Sequence, residues 1–373
     1  MHVYLHVPFC VRRCSYCDFS IAVRRRVPAQ EYVDCVLREV QMRGVDARDE
    51  LDTLYLGGGT PSLLPGEAVA HLVTSLLDAF PSTPILDVVE VTVEANPEDV
   101  TPEAARSWRR SGVNRVSLGA QSFDDRVLQW MHRSHDGARI GAAVRTLRDA
   151  GLDNVSLDLI FALPAELRRN WSRDLDHALA LRPAHLSLYG LTVEPRTPLA
   201  RWISRGTSAA PDDERYAAEY LLAHQRLSAA GYHFYEVSNA ARDGLRSRHN
   251  SAYWSGRSYE GLGPAAHSYD GRARRWNVAA WEAYARAVRA DRSPLESEEI
   301  LTPEQREIER LYLALRTDAG LALNAPYRPL PPLAAWVDQG WAEVRDGRLV
   351  CMPEGWLRLD ALVRDLTSVQ AMG

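Results

Sequence analysis

His6-Val7-Pro8-Phe9-Cys10-Val11-Arg12-Arg13-Cys14-Ser15-Tyr16-Cys17-Asp18-Phe19 packs three cysteines into eight residues, directly after a short β-rich run, Val3–Val7. Thiolates are the usual ligands of iron–sulfur clusters. Three in one loop can hold three irons of a cubane and leave the fourth iron open to a small molecule, as open metal positions are used in catalysis. The competing reading is structural zinc, which wants four ligands and would take the fourth from His2, His6 or elsewhere. Such zinc sites usually pair two Cys-x-x-Cys knuckles. The other two cysteines, Cys35 and Cys351, stand alone and read as buried thiols.

Outward from this loop the chain alternates. β-rich runs at Val3–Val7, Thr53–Leu56, Val88–Val93, Arg115–Leu118, Val155–Ile160 and His185–Tyr189 are separated by amphipathic stretches. Tyr32, Val33, Val36, Leu37 and Val40 fit one helix face, as do Ala142, Ala143, Leu147 and Ala150. Alternating βα units imply a parallel sheet. Six units are too few for a closed eight-fold barrel, so the spacing predicts a partial (β/α)6 TIM-like barrel over residues 1–238, with its chemistry at the C-terminal ends of the strands. Residues 239–300, rich in Gly, Arg, Ser and Asn with interspersed aromatics, read as a long functional connection. Residues 301–373 read as a small α+β domain of winged-helix type: helices near Glu304–Leu315 and Leu333–Gln339, then a hairpin over Ala342–Met352 turning at Asp346-Gly347.

A net charge of −5 over 373 residues argues against a general electrostatic grip on nucleic acid. No apolar run approaches the roughly 20 residues of a membrane span. Met1–Pro8 lacks a basic start and a long apolar core, so it does not read as a signal peptide, and a cytoplasmic location is expected.

Several positions at strand ends could contact a ligand. Gly57-Gly58-Gly59-Thr60-Pro61 follows the second strand and offers close backbone approach and amide donors. Glu94 ends Val91–Pro97, and Gln121, Arg133 and Asp158 fall at the ends of later units. Arg133 suits a carboxylate through its planar fork. Asp158 sits inside an apolar run, where burial without a partner would be costly.

The Cys-x3-Cys-x2-Cys spacing with Tyr16 before the last cysteine is similar to the signature of the radical S-adenosylmethionine (SAM) superfamily. Together, Tyr4–Phe19, Gly57–Pro61, Val91–Pro97, Ser117–Phe123, Arg133 and Asp158–Ile160 resemble the oxygen-independent coproporphyrinogen III oxidases and their HemW-type relatives, over most of residues 1–370. The resemblance implies a [4Fe-4S] cluster on Cys10, Cys14 and Cys17. It also implies SAM bound by Tyr4, Tyr16, Gly58, Gly59, Thr60, Glu94, Gln121, Arg133 and Asp158.

Within that group, the oxidases carry a fourth cysteine two positions after the third, where this chain has Phe19, and a longer N-terminal extension; both points favour the HemW type. Arg248-His249-Asn250-Ser251-Ala252-Tyr253-Trp254 resembles the His-Asn-x-x-Tyr-Trp motif associated with heme binding in that type. Imidazole is a common axial ligand, aromatic faces suit a porphyrin, and Arg246 and Arg248 could pair with propionates. His267 is a second candidate. Ser15, Ala162, Ala165 and Ser247 depart from the family pattern; the two alanines stand where glycines are usual and would narrow the substrate side of the barrel.

The implied function is a heme chaperone delivering heme to apoproteins such as respiratory enzymes. The resemblance leaves open peripheral membrane contact and the choice of monomer or homodimer. Oxidative decarboxylation of coproporphyrinogen III in porphyrin biosynthesis is the alternative. A zinc-bound winged-helix regulator is a third reading, opposed by the acidic charge and the long βα region.

Overall fold

The computed structural model describes residues 1–44, 50–81, 89–323 and 331–370. Strands β1 (His2–Val7), β2 (Thr53–Gly58), β3 (Glu90–Ala95), β4 (Arg115–Gln121), β5 (Val155–Phe161) and β6 (His185–Gly190) run parallel, in chain order, through one sheet. Between and after them come α1 (Ala29–Arg43), α2 (Gly66–Asp78), α3 (Pro102–Arg110), α4 (Asp125–Trp130), α5 (Gly137–Asp149), α6 (Trp171–Ala180), α7 (Pro198–Ser204) and α8 (Asp213–Ala229). This is the partial (β/α)6 barrel that the alternation implies. Val88, read as the start of the third strand, lies outside the described residues, and β3 begins at Glu90.

Each strand alternates polar and apolar residues, and the period of two sorts them onto opposite faces. Val3, Leu5, Leu54, Leu56, Val91, Val93, Val116, Leu118, Leu157, Leu159, Leu186 and Leu188 face the helices, each 2% exposed or less. Fully burying one such side chain is worth about 1.5–3 kcal/mol. The polar set faces inward and pairs across strands: His2 with Thr53, Tyr55 with Glu94, Ser117 with Asp158, Ser156 with His185. The barrel is therefore held by an apolar outer layer and carries a polar, hydrogen-bonded lumen.

The helix faces differ in detail from the sequence reading. On α1 the buried residues are Tyr32, Val33, Cys35, Val36 and Glu39, with Leu37 and Val40 only partly covered. On α5 the stripe is Ile140, Ala143, Val144 and Leu147. Glu39 is fully buried because it accepts from Asn277 Nδ2 (2.7 Å), the Tyr284 hydroxyl (2.7 Å) and Gly263 N (2.8 Å). These bonds tie residues 263–284 to the barrel wall.

A boundary at residue 238 is not a structural one. β7 (His233–Glu236) and β8 (Asn239–Ala241) extend the sheet antiparallel beyond β6, and β9 (Glu260–Leu262) pairs parallel with β1 at the other edge. Between β8 and β9 lies the short helix α9 (Arg248–Trp254). β10 (His267–Tyr269), β11 (Ala273–Asn277) and β12 (Leu295–Ile300) form a small antiparallel sheet, with α10 (Trp281–Arg289) packed on α1.

The C-terminal module contains α11 (Pro303–Arg316), α12 (Pro331–Asp338), α13 (Pro353–Trp356) and α14 (Leu359–Gln370). Its sheet joins β13 (Leu321–Ala322) to a hairpin of β14 (Ala342–Arg345) and β15 (Arg348–Cys351). Asp346 and Gly347 turn that hairpin with φ of 50° and 73°, the left-handed pair that a two-residue hairpin requires. Cys35 and Cys351 are both buried, and burial pushes the Cys351 thiol up to about 12. No helix among the described residues is long and apolar enough to cross a membrane.

Candidate functional site

Two cavities occupy opposite ends of the barrel. The first, about 450 Å³, opens at the C-terminal ends of the strands. Its wall includes Cys10, Cys14, Tyr16, Cys17, Gly58, Gly59, Thr60, Glu94, Gln121, Arg133 and Asp158. The fold thus brings together every residue assigned from the sequence to the cluster and SAM except Tyr4. Tyr4 stands deeper in the lumen, where its hydroxyl meets His6 Nδ1 at 3.1 Å and its ring stacks on Tyr55.

The cysteine loop is fixed from several sides. Arg24 N donates to Cys10 O (2.9 Å), Ser15 N to Met131 O (3.2 Å), and Leu199 N to Ser15 O (2.9 Å). Cys10 Sγ lies 3.3 Å from Thr60 Oγ1, and Arg133 Nη1 donates to Cys14 Sγ at 3.7 Å. Arg133 Nη2 also bonds Asn96 Oδ1 and Gly119 O. Burial raises the Cys10 thiol and pushes Cys17 up to about 11, so a metal that binds them displaces protons. Among the described residues no three Cys, His, Asp or Glu side chains converge as one metal ion would need. A cubane binds each thiolate at a different iron and tolerates wider spacing, so these thiols fit a cluster better than zinc.

The glycine run is needed for close approach. A Cβ at Gly59 would lie 2.8–2.9 Å from backbone atoms of Phe9 and Pro8, and one at Gly58 would meet the His6 ring at 2.7 Å. Gly58 also has φ of 109°, and its N–H donates to Glu94 Oε2 at 3.1 Å. Glu94 accepts a second bond from the Tyr55 hydroxyl at 2.8 Å. Burial, with a further push from Asp158, nevertheless raises Glu94 to about 7. Asp158 is likewise raised by burial and accepts from Ser117 Oγ at 3.0 Å. Gln121 reaches the cavity through a bulge in β4: the β4–β5 register shifts between Gly119 and Gln121, and Gln121 adopts φ of 64°. Ala162 is also left-handed, φ 58°, but it and Ala165 do not line this cavity, so they do not narrow it.

The second cavity, about 1140 Å³, lies at the N-terminal ends of the strands, between the barrel floor and α11 of the C-terminal module. Tyr253 and Trp254 line it with Tyr235, Tyr259 and Tyr269, among Arg246, Arg248, Arg257, Arg274, Arg306, Arg310 and Arg348. Asp52, Glu309 and Asp318 are its acidic residues, leaving the cleft basic in an acidic chain. Arg246 pairs with Asp318 (2.6 Å), Arg248 with Asp52 (3.7 Å) and Arg274 with Glu309 (2.8 Å). Arg316 lies over the Trp254 ring at 4.2 Å.

Glu90 sets α9 across this floor. Its carboxylate accepts from the N–H groups of Arg248 and His249, both at 2.9 Å, while Ser247 Oγ caps Asn250 N at 3.2 Å. His249 is consequently 1% exposed. Its Nδ1 is 2.7 Å from Thr53 Oγ1 and its Nε2 is 3.0 Å from the Tyr253 hydroxyl. The sequence reading of His249 as an axial ligand is not met in this arrangement, because neither ring nitrogen is free and the ring does not line the cleft. Asn250, on the same helix, also lies off the cleft wall, and His267 lies on β10 stacked on Trp276, lining neither cavity.

Sequence reasoning missed the polar layer beneath α9: His2, Thr53, Glu90, Arg115 and His185. The strict polar–apolar alternation of all six strands was the available signal. Arg115 is 1% exposed with Nε and Nη1 unpartnered, and Glu90 is its strongest opposing charge.

Fold and cysteine site together define a radical SAM barrel, and a Radical SAM superfamily model matches residues 4–178. The chain is 40% identical over 377 residues to the heme chaperone HemW of Mycobacterium tuberculosis, covering 98% of this chain and 94% of that one. It is 33% identical to the heme chaperone HemW of Bacillus subtilis, covering 86% and 84%. The solved radical SAM coproporphyrinogen III oxidase HemN of Escherichia coli superposes with a TM-score of 0.81 at 22% identity, covering 98% of this chain and 90% of that one, a likeness of fold. The chain belongs to the HemW-type family of radical SAM proteins.

Proposed function

We propose that this protein is a heme chaperone that carries a [4Fe-4S] cluster and SAM at one end of its barrel and heme at the other. The observation that carries the heme site is the basic, aromatic cleft walled by Tyr253 and Trp254. Flat aromatic faces suit a macrocycle, and arginine forks suit its carboxylates. The curated relatives that share the full length of the chain are named as heme chaperones, which supports the same reading.

At the other end, Cys10, Cys14 and Cys17 would hold the cluster. The chemistry such a cluster supplies when bound with SAM is reductive cleavage to an adenosyl radical. Glu94, with the amides of Gly58 and Gly59 and the hydroxyl of Thr60, would orient the amine-bearing end of SAM. Arg133 would hold negative charge beside the cysteine loop. Transfer of heme to apoproteins such as respiratory enzymes, and a cytoplasmic location, belong to this proposal.

Anaerobic reconstitution followed by titration with hemin tests it: saturable, stoichiometric binding that weakens in Tyr253→Ala and Trp254→Ala is expected. No binding, together with conversion of coproporphyrinogen III to a vinyl-bearing product, would replace the chaperone reading with the decarboxylase.

A further inference from the structure

The floor of the basic cleft is a layer of inward-facing polar groups, and nearly all are engaged. His185 uses Nδ1 on Ser156 and Nε2 on the Tyr235 hydroxyl, both at 2.8 Å. His249 uses both nitrogens, as described above. His2 differs. Its Nδ1 meets Thr53 Oγ1 at 3.0 Å, but its Nε2 is buried with no hydrogen-bond partner, and the residue is 5% exposed on the cleft wall. The Asp52 carboxylate stands 3.9 Å from this nitrogen, outside hydrogen-bond reach, and is held by the Met1 amine at 3.1 Å.

Two imidazoles thus share the single hydroxyl of Thr53, which has one proton to donate. In one arrangement His2 Nδ1–H donates to Thr53 Oγ1, Thr53 donates to His249 Nδ1, and His249 Nε2–H donates to the Tyr253 oxygen. His2 Nε2 is then a bare lone pair. The reverse arrangement leaves an N–H buried on His2 with no acceptor, the rarer kind of orphan. The first arrangement also matches how ligating histidines are held, with the distal ring N–H donated to an oxygen.

We propose that His2 Nε2, rather than a nitrogen of His249, is the ligand to the iron of a tetrapyrrole seated in this cleft, and that His249 positions it through Thr53. The inference rests on the heme-binding reading of the site. Burial, against the pull of Asp52, lowers the His2 pKa to about 4, so the ring is neutral at pH 7 and iron coordination displaces no proton. Arg257 and Arg248 lie close enough to add to that lowering, and both line the cleft, where carboxylates of the macrocycle would meet them. Tyr253 then serves twice, presenting its ring to the cleft and its hydroxyl to His249.

The test uses the full chain titrated with hemin, read by absorption and by electron paramagnetic resonance. Circular dichroism and thermal unfolding serve as controls for folding. His2→Gly should lose the histidine-ligated spectrum and regain it when imidazole is added. His249→Ala and Thr53→Val should keep the histidine-ligated spectrum but bind about 10- to 100-fold more weakly, the usual effect of losing a partner behind a metal ligand. If His2→Gly keeps the wild-type spectrum while His249→Gly loses it and is rescued by imidazole, the assignment to His2 is wrong and the heme-binding reading stands. If the wild-type protein takes up no heme, the reading of the cleft fails and this inference with it.

Discussion

The ring of Tyr55 stacks on that of His249 with centroids 4.9 Å apart, at an interplanar angle of 25°. The Tyr55 hydroxyl meanwhile donates to Glu94 at 2.8 Å. One tyrosine on β2 therefore touches the floor that supports the basic cleft and a wall of the cysteine cavity. Tyr55→Phe keeps the stack and removes the bond. Losing it costs about 1–3 kcal/mol when the acceptor is charged. SAM affinity, measured by calorimetry, should fall by roughly tenfold at that cost, while hemin binding stays within error.

Glu94 supplies a pH dependence with a definite sign. Its folded value of about 7 lies above the ordinary 4.5, so the folded state holds a proton that the unfolded state has released. Stability of the SAM-free protein should therefore decline as pH rises from about 4.5 to about 7 and level off above that. SAM, whose amine end favours the carboxylate, should bind more tightly over the same rise. Glu94→Gln should flatten both profiles in thermal melts and titrations; a variant that kept the slope would assign it elsewhere.

Gly59 has no space for a side chain, because its Cβ would lie 2.8–2.9 Å from backbone atoms of Phe9 and Pro8. That backbone leads straight into Cys10. Gly59→Ala should displace the cysteine loop, cost about 1–3 kcal/mol of stability, and lower iron and sulfide per chain after reconstitution. Gly256→Ala provides the contrast: a Cβ there meets nothing within 4 Å, and the left-handed φ of 66° is its only strain.

Glu90 caps α9 and opposes the buried charge of Arg115. Glu90→Ala leaves that guanidinium uncompensated, a change typically worth about 3–5 kcal/mol. The unfolding midpoint in denaturant should drop accordingly, and hemin affinity should fall because α9 presents Tyr253 and Trp254. Glu90→Gln should retain part of the cap and lose less of both.

The sequence by itself determined what is local. Three thiols within eight residues need only one loop to meet. The hairpin at Asp346-Gly347 is written in two adjacent residues, and the βα alternation in hydrophobic patterning. The polar–apolar period of the strands was equally legible and would have placed His2, Thr53, Glu90 and Arg115 inside the barrel. Only the tertiary structure decided which end of the barrel the His249 motif occupies and what its ring touches. His249 and Thr53 are separated by 196 residues, and they meet because β9 pairs with β1 and Glu90 draws in the first amides of α9. No window along the chain records such a contact. A histidine reads the same in sequence whether its nitrogens are free or spent, and hydrogen bonds across the assembled barrel floor set that difference between His2 and His249.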